Sequence, residues 1–294
     1  MRAAVVVNPT KHADGAKFRA EVTEAMAAHG WSDPLWLETT PDETGRGLAA
    51  AAVAERVDVV LASGGDGTVT ACAEGVAGSG VPLGVLPAGT GNLLARNLGL
   101  PLTLDQALAV ALTGRDRGLD VGHANGHLFV AMAGIGFDAM LLDSTGEPLK
   151  KRLGWFAYAI SAVRHLGDRP MRVTVSADGG RRRRMRASAL IVGNVGWLRG
   201  GLPLLPDARP DDGMLDAVVL IAGGPTRWLA VAADILLRRP AHGGIYRVQF
   251  TELQVALDRE QPWELDGEVM GSTRKLTVVA QPGALLLRMP EESA

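Results

Sequence analysis

The chain has 294 residues, about two domains' worth at roughly 150 residues each, which is enough to bury a core without a partner chain. Its 30 lysine and arginine residues nearly balance 32 aspartate and glutamate residues, so bulk charge does not indicate a nucleic-acid partner. The single cysteine, Cys72, excludes an intramolecular disulfide, and the six histidines lack the spacing of a zinc site. No apolar run is long enough to cross a bilayer, so we expect a cytoplasmic protein, with peripheral attachment to the inner face of the membrane left open.

In the first hundred residues, short apolar runs alternate with amphipathic stretches. The predicted strands are Ala3–Val7, Leu35–Leu37, Val57–Ala62 and Leu83–Leu86, and the predicted helices are Phe18–His29, Gly47–Glu55, Val69–Ala77 and Leu93–Leu98. Such alternation is typical of an α/β fold with a parallel sheet covered on both faces, in which ligands bind beyond the carboxyl ends of the strands. We therefore expect a doubly wound N-terminal domain.

After about residue 115 the pattern changes to period-two segments, which predict a mainly β domain. The predicted strands are Met171–Ser176, Ala187–Val192, Leu215–Ile221, Tyr246–Leu257 and Leu276–Ala280, with helices only at Lys151–Leu166 and Thr226–Leu237. Asp178-Gly179 predicts a hairpin turn, and a solvated turn is the simplest interpretation of the arginines that follow it. We expect domains at residues 1–118 and 119–283, with the tail from about 284 to 294 returning to the first.

The segment Ala62-Ser63-Gly64-Gly65-Asp66-Gly67-Thr68 leaves an apolar strand and enters a predicted helix. Three glycines around one acid are costly to order unless the backbone must approach a ligand closely. The loop amides and the helix N-terminus would form a positive cradle for phosphate oxygens. Asp66 would repel bare phosphate, so a Mg²⁺ ion between them is expected. The alternative is a tight turn with Asp66 as the helix N-cap.

A second loop of the same construction, Pro87-Ala88-Gly89-Thr90-Gly91-Asn92, follows the next predicted strand. Leu94 stands where a dinucleotide fingerprint needs its third glycine, and the absence of a GK[ST] sequence excludes a P-loop lysine. Two glycine loops at adjacent strand ends, each with a threonine hydroxyl, favour one shared metal-nucleotide site over two unrelated turns.

Two acidic segments in the second half are further candidates. Phosphoryl transfer to an alcohol needs a carboxylate that takes the proton, and Asp266-Gly267-Glu268 offers two, which a bend at Gly267 could bring together. The alternative is an exposed turn. Pro206–Asp216 contains four aspartates, whose repulsion could be relieved by a cation or by solvent, and both interpretations stay open.

These motifs, in order from Asn8-Pro9 through both glycine loops, Gly134–Ala139 and Pro206–Asp216 to Asp266-Gly267-Glu268, resemble those of the diacylglycerol kinase catalytic-domain family. That family includes bacterial soluble lipid kinases and the sphingosine and ceramide kinases, and is distantly related to NAD kinases. The resemblance covers residues 8 to 268. It implies a nucleotide-binding domain like those of NAD kinases and phosphofructokinases and a C-terminal β-sandwich lipid-substrate domain. It also implies ATP-dependent phosphorylation of a lipid hydroxyl in the cleft between the domains.

The family's site residues carry over by position. The implied ATP contacts are Asn8, Pro9, Thr10, Lys11, His12, Thr40, Gly64, Gly65, Asp66, Gly67, Thr68, Val69, Thr70, Gly89, Thr90 and Asn92. Glu268 matches the proton acceptor, and we expect Asp266 and Asp66 as the other catalytic acids. Asp212, with the carbonyls of Arg209 and Met214, matches a structural Mg²⁺ site.

The expected cofactors are therefore ATP and Mg²⁺, and the expected partner is a lipid at the membrane surface, with a homodimer left open. The basic segments Lys150–Arg152 and Arg181–Arg184 could attract anionic headgroups, but a solvated turn is the simpler interpretation of the arginines, and no residue is assigned to a membrane contact. Many relatives have Asn-Glu where this chain has Thr70-Ala71, and Asn-Asp where it has Asn92-Leu93, which bears on the lipid headgroup. The alternatives are an NAD kinase-like enzyme with a small polar acceptor and a non-catalytic nucleotide or lipid sensor.

Overall fold

The computed structural model describes residues 1–136, 170–198, 203–221 and 244–291. Both helices predicted for the second half, Lys151–Leu166 and Thr226–Leu237, lie outside these residues. The chain divides into two compact units, one formed by Met1–Val121 with Pro282–Ala294 and the other by Gly122–Gln281. Within the described ranges, no helix is both long and apolar enough to cross a membrane.

The first unit is an α/β domain, as the alternating pattern predicted. Its elements are β1 (Ala3–Val7), α1 (Gly15–Ala28), β2 (Leu35–Glu38), α2 (Arg46–Ala54), β3 (Val59–Gly64), α3 (Asp66–Val76), β4 (Leu83–Pro87), α4 (Leu93–Asn97) and α5 (Leu104–Thr113). The strands are parallel in the order β2-β1-β3-β4, and the C-terminal segment adds a parallel pairing of Leu287 with Leu83. Helix α5 was not predicted.

Helices cover both faces of this sheet, which explains why all five residues of β1 are buried. Apolar residues of α1 and α5, including Phe18, Met26 and Leu108, pack with Val5 on one face. Helices α2 and α3 lie on the other face. They cross so closely that a Cβ on Gly75 of α3 would collide with the carbonyl oxygen of Arg46. The expectation of a doubly wound domain is therefore confirmed.

The second unit is mainly β, as predicted. The remaining strands are β5 (Arg115–Ala124), β6 (His127–Phe129), β7 (Met132–Ile135), β8 (Met171–Ala177), β9 (Arg183–Gly193), β10 (Leu215–Ile221), β11 (Ile245–Phe250), β12 (Glu252–Leu265) and β13 (Glu268–Met289). The chain leaves the first unit within β5 and returns to it within β13. The antiparallel order is β11-β10-β9, then β12 and β13, and both β7 and β8 pair with β9 and β12.

Strands β7 and β8 occupy opposite ends of the space between β9 and β12. Strand β7 pairs with Leu190–Gly193 of β9, whereas β8 pairs with the other end of that strand, where Met171 lies opposite Ala187. The predicted hairpin turn between β8 and β9 is confirmed, since Asp178 and Gly179 have φ values of 48° and 66°. The prediction of one strand over Tyr246–Leu257 is wrong, because the chain breaks into β11 and β12 at Thr251.

Candidate active site

Loops from three neighbouring strands meet at the carboxyl edge of the first unit's sheet. Strands β2 and β3 lie on opposite sides of β1, so the direction of the strand order reverses between β1 and β3. Ligands usually bind at this position in such sheets. The loop after β1 is attached there, because the Asn8 N–H donates to the Ser63 carbonyl at 2.8 Å. The sheet therefore brings the Asn8–His12 segment to the end of β3.

The first glycine loop is shorter than predicted. We expected the strand to end at Ala62 and the helix to begin at Val69, but β3 continues to Gly64 and α3 begins at Asp66. Gly65 is the N-cap and has no side chain with which to cap the first turn of α3. A Cβ on Gly64 would lie 2.5 Å from the Thr68 Oγ1 atom, so a glycine is needed there. The N-terminus of α3 thus lies directly at the sheet edge.

The second glycine loop lies directly against the first. The Ala88 N–H donates to the Gly64 carbonyl at 2.9 Å. A Cβ on Gly89 would lie 2.8 Å from the Gly65 Cα and 3.0 Å from the Asn92 Oδ1. Asn92 has φ 48° and bonds Gly89 twice, accepting its N–H and donating to its carbonyl. The two turns therefore form one continuous small-residue surface.

Asp66 joins the two loops. Its Oδ1 accepts the N–H of Leu93, the first residue of α4, at 2.5 Å, and its side chain is half-buried. Asp66 is itself the first residue of α3, so the alternative of an Asp66 N-cap on that helix is wrong. The carboxylate instead caps the neighbouring helix and stays at the shared edge of the two loops.

The loop after β1 brings further polar groups to this edge. Asn8 Oδ1 accepts the backbone N–H of Thr10 at 3.1 Å and its hydroxyl at 2.8 Å, which fixes the short 3-10 helix Pro9–Lys11. His12 Nε2 lies 3.0 Å from the Ser63 Oγ, and partial burial lowers the pKa of His12, favouring the neutral imidazole.

Lys11, one of the implied ATP contacts, supplies a cation at this edge of the sheet. A Cβ on Gly65 would lie 3.9 Å from the Lys11 Cε, so the lysine side chain passes over the first glycine loop. The chain has no P-loop lysine, yet the tertiary arrangement places Lys11 beside the α3 N-terminus. An ammonium group and uncapped helix amides at one position favour a phosphate ligand.

The two remaining predicted threonines differ in their surroundings. Thr40 follows β2, and its Oγ1 accepts the Glu43 N–H at 3.1 Å within a tight turn. Thr90 is exposed on the second glycine loop. Sequence reasoning missed Glu43, whose Oε1 accepts the N–H groups of Gly45 and Gly47 and so caps α2. Glu43 also lines an open cavity of about 540 Å³ beside the start of α2.

The Asp266-Gly267-Glu268 segment is the turn of the β12–β13 hairpin. Leu265 pairs with Glu268, and the two turn residues have φ values of 48° and 92°. Asp266 is only 6% exposed, and its carboxylate accepts three backbone N–H groups at 2.8 to 2.9 Å, from Val130, Ala131 and Met132.

The two acids of this turn therefore have different surroundings. Glu268 is exposed at the start of β13, whereas Asp266 folds back onto the backbone of residues 130–132. Both oxygens of Asp266 hold the adjacent loop, which favours a positioning role for this residue. A shared site for the two carboxylates, formed by a bend at Gly267, stays a prediction.

Asn194 is a second residue that holds this loop, and sequence reasoning missed it. It is 2% exposed, its Nδ2 donates to the Val130 carbonyl at 3.1 Å and its N–H donates to the Ala131 carbonyl at 2.9 Å. A polar residue directly after the apolar run Ala189–Val192 was the available signal.

The acidic loop before β10 contains the expected magnesium ligands. Asp212 is exposed, and its Oδ1 accepts the Met214 N–H at 3.0 Å. Burial raises the pKa of Asp216, the hydrogen bond from Gln249 lowers it, and the charges of Asp212 and Asp207 raise it further. In the described part of the chain, no cluster of three or more histidine, cysteine, aspartate or glutamate side chains could hold a metal ion. A cation here would depend on Asp212 and main-chain carbonyls.

Other candidate residues lie outside the described ranges. These are Asp138 of the Gly134–Ala139 motif and the basic cluster Lys150–Arg152.

Comparison with known proteins identifies the family of both parts of the chain. Residues 2–124 match the diacylglycerol kinase catalytic domain, and residues 131–289 match the YegS C-terminal NAD kinase beta sandwich-like domain. A Pseudomonas fluorescens protein named "Probable lipid kinase YegS-like" is 32% identical over 99% of this chain and 97% of its own. The Bacillus subtilis protein named diacylglycerol kinase is 29% identical over 100% of this chain and 98% of its own.

Solved structures share the fold. A diacylglycerol kinase crystal structure from Bacillus anthracis has a TM-score of 0.75 and 22% identity over 100% of this chain and 98% of its own. An NAD kinase from Archaeoglobus fulgidus, solved in complex with ATP, has a TM-score of 0.54 and 14% identity over 99% of this chain and 95% of its own. The two domain matches and the identity over nearly the whole length show that this chain belongs to the diacylglycerol kinase family of lipid kinases.

Proposed function

We propose that the protein is a Mg-ATP-dependent lipid kinase that transfers the γ-phosphoryl group to the hydroxyl of a diacylglycerol-like lipid. The observation that carries the proposal is the convergence of the Asn8–His12 segment, Gly64–Thr68 and Gly89–Asn92 at one sheet edge, beside the uncapped N-terminus of α3. This is the arrangement that phosphate binding requires.

A triphosphate fits this edge because the backbone there is bare. The two loops are so close that a Cβ added at Gly89 would lie 2.8 Å from the Gly65 Cα. The amides of the first turn of α3 donate to phosphate oxygens, and Lys11 balances their charge. The hydroxyls of Thr40 and Thr90 hold other parts of the nucleotide.

Hard oxygen ligands suit magnesium. We assign its structural site to Asp212 with the carbonyl oxygens of Arg209 and Met214, and we assign Asp66 to the metal-nucleotide, directly or through water. Magnesium, when bound, neutralises charge that would otherwise oppose transfer. Asp66 is suited to this task because its bond to Leu93 fixes the carboxylate where the two glycine loops meet.

Glu268 accepts the proton of the lipid hydroxyl in this proposal. Its carboxylate is exposed at the first position of β13, so it can reach a substrate group. Asp266 supports it indirectly, because the three hydrogen bonds of Asp266 fix the turn from which Glu268 projects.

The alternatives have less support. The NAD kinase neighbour shares the fold at 14% identity, whereas a relative named a probable lipid kinase is 32% identical over nearly the full length. A nucleotide sensor without catalysis would use the same loops and Lys11, but it would not need an exposed carboxylate at Glu268. Because the acceptor is a membrane lipid, the enzyme would act in the cytoplasm as a peripheral protein at the inner face of the membrane.

The test is incubation with γ-labelled ATP, Mg²⁺ and a total lipid extract, with NAD as a parallel acceptor, followed by identification of the labelled product. The proposal predicts a labelled lipid, no labelled NAD, and loss of transfer with retained ATP binding in Glu268→Gln. A labelled NAD product would establish the small-molecule kinase instead. ATP binding without any labelled product would favour the sensor.

A further inference from the structure

The β8–β9 hairpin carries the strongest local charge of the described chain. Residues 170–186 contain six arginines and one aspartate, in a protein whose formal net charge is -2. All six arginines are exposed, and in the described ranges none of them forms an ion pair with a carboxylate. The Asp178 carboxylate in the turn is directed elsewhere, accepting the N–H groups of Thr251 and Glu252.

Strand pairing places three of these arginines on one face of the sheet. Arg172 lies directly opposite Arg186, and Arg184 lies opposite Thr174, two residues further along β8. The alternating residues Met171, Val173 and Val175 are buried in the core, so Arg172, Arg184 and Arg186 point to the other face. Like charges directly opposite each other on paired strands are destabilising. In the described ranges, neither Arg172 nor Arg186 forms an ion pair that would offset this repulsion.

The same face continues across two more strands. Thr174 pairs with Ala256 of β12, and Ala256 pairs with Lys275 of β13. With strands about 4.8 Å apart, Arg184 and Lys275 are separated by about 14 Å, with only small uncharged side chains between them. Asp258 of β12 lies beside this face, where its carboxylate accepts the Arg172 N–H and lies 4.0 Å from Arg259. We call Arg172, Arg184, Arg186 and Lys275 the arginine face.

We propose that the arginine face is a docking surface for the anionic headgroups of a lipid bilayer. A flat, exposed sheet face with four cations and few side chains rising between them complements a flat anionic surface. This inference rests on the proposed function in one respect, since the expected acceptor lies in a bilayer. Guanidinium groups suit this contact because they form paired hydrogen bonds with phosphate oxygens.

The arginine face is an attachment point and not part of the reacting site. Strand β9 runs from the arginines to Gly193, which precedes Asn194 beside the loop that Asp266 holds. The strand from Arg186 to Gly193 spans about 23 Å, or roughly three Debye lengths at physiological salt. Removing charge from the arginine face should therefore change membrane binding without changing the chemistry.

The test is co-sedimentation of the full chain with vesicles of equimolar phosphatidylcholine and phosphatidylglycerol, and with vesicles of phosphatidylcholine alone. The wild type should bind the anionic vesicles only and release them as NaCl rises from about 0.05 to about 0.5 M. Arg184→Gln/Arg186→Gln should bind about 30-fold more weakly, about fivefold for each arginine. The matched control is Arg259→Gln/Arg274→Gln, which removes the same charge from arginines beside Asp258 and Glu260 and should bind like the wild type.

Equal vesicle binding by the test and control variants would overturn the proposal. The proposal would also be overturned if the test variant lost binding to a single-stranded oligonucleotide while its vesicle binding stayed unchanged, because the partner would then be a nucleic acid. Thermal midpoints of all variants should match the wild type, and a midpoint that falls in the test variant is resolved by repeating the assay with Arg172→Gln. An activity assay separates this proposal from the proposed function. Transfer to an acceptor in anionic vesicles should fall in the test variant, while transfer to the same acceptor in neutral detergent micelles should be unchanged.

Discussion

Replacing Asp266 with asparagine tests whether its carboxylate holds the turn that carries Glu268. Asparagine tolerates the φ of 48° at this position, so Asp266→Asn keeps the turn and changes only the hydrogen bonding. Oδ1 accepts the N–H groups of Ala131 and Met132, and Oδ2 accepts that of Val130. The amide can replace only one of these oxygens as an acceptor, so one buried N–H faces another donor and the other two bonds lose their charge.

The expected cost follows from these contacts. An unsatisfied buried donor costs about 1 to 3 kcal/mol, and charge roughly doubles the strength of such bonds, so Asp266→Asn should destabilise the protein by about 2 to 4 kcal/mol. For a domain of this size, that lowers the thermal midpoint by roughly 5 to 15 °C. Phosphoryl transfer should also fall while ATP affinity is kept, because the nucleotide loops belong to other residues.

The chain contains a matched control in Asp178. It has the same φ of 48°, precedes a glycine in a hairpin turn and also accepts backbone N–H groups, but it is exposed to solvent. Water can replace its bonds, so Asp178→Asn should change stability by less than about 1 kcal/mol. Differential scanning calorimetry of both variants decides the matter. Equal, small midpoint shifts in the two variants would show that burial of the Asp266 carboxylate does not set the cost of replacing it.

Three further predictions concern the acids. Asp66→Asn should keep the Leu93 hydrogen bond and the thermal midpoint but weaken Mg²⁺-dependent ATP binding roughly tenfold; an unchanged Mg²⁺ titration would contradict the metal role. Asp212→Ala should abolish the rise in thermal midpoint that Mg²⁺ gives the wild type, and a surviving rise would exclude the assigned site. Burial raises the folded-state pKa of Asp216 above its ordinary 3.8. The wild type therefore loses stability as pH rises from the unfolded-state pKa through the folded-state pKa of this carboxyl. In Mg²⁺-free buffer, Asp216→Asn should be more stable than the wild type at neutral pH, with a gap that closes below about pH 4, and a gap independent of pH would oppose this sign.

The sequence predicts the first unit well because its signals are local. Ala3–Val7 has the predicted bounds, since it is a run of buried apolar residues that ends at the turn signal Asn8-Pro9. Helix α3 begins three residues before its predicted start because Asp66 and Gly67 are tolerated in a first helical turn, although glycine is otherwise a helix breaker.

The break at Thr251 was readable in the pattern of buried positions. Tyr246, Val248 and Phe250 face the core, and the next inward residue is Leu253, so the two-residue period slips between them. The N–H of Thr251 then bonds to Asp178, a partner distant in sequence. The prediction of one continuous strand overlooked this slip in the apolar period.

The positioning role of Asp266 could not be predicted from sequence. Its hydrogen-bond partners are residues 130–132, more than 130 positions away, and only the pairing of β12 with β7 brings them together. The resemblance to the family named Lys11 as an ATP contact, but its position over Gly65 depends on the pairing of β1 with β3 and could not be predicted from sequence.

Calorimetric titration of Mg-ATP into Gly89→Ala tests the nucleotide cradle most directly. Gly89 has no positive φ, so alanine is acceptable to its backbone, but the added Cβ would lie 2.8 Å from the Gly65 Cα and would separate the two loops. Gly15→Ala is the control, because a Cβ there has nothing within 4 Å. We expect at least a tenfold loss of ATP affinity in Gly89→Ala and none in Gly15→Ala. Wild-type affinity in both variants would show that the two glycine loops do not bind the nucleotide.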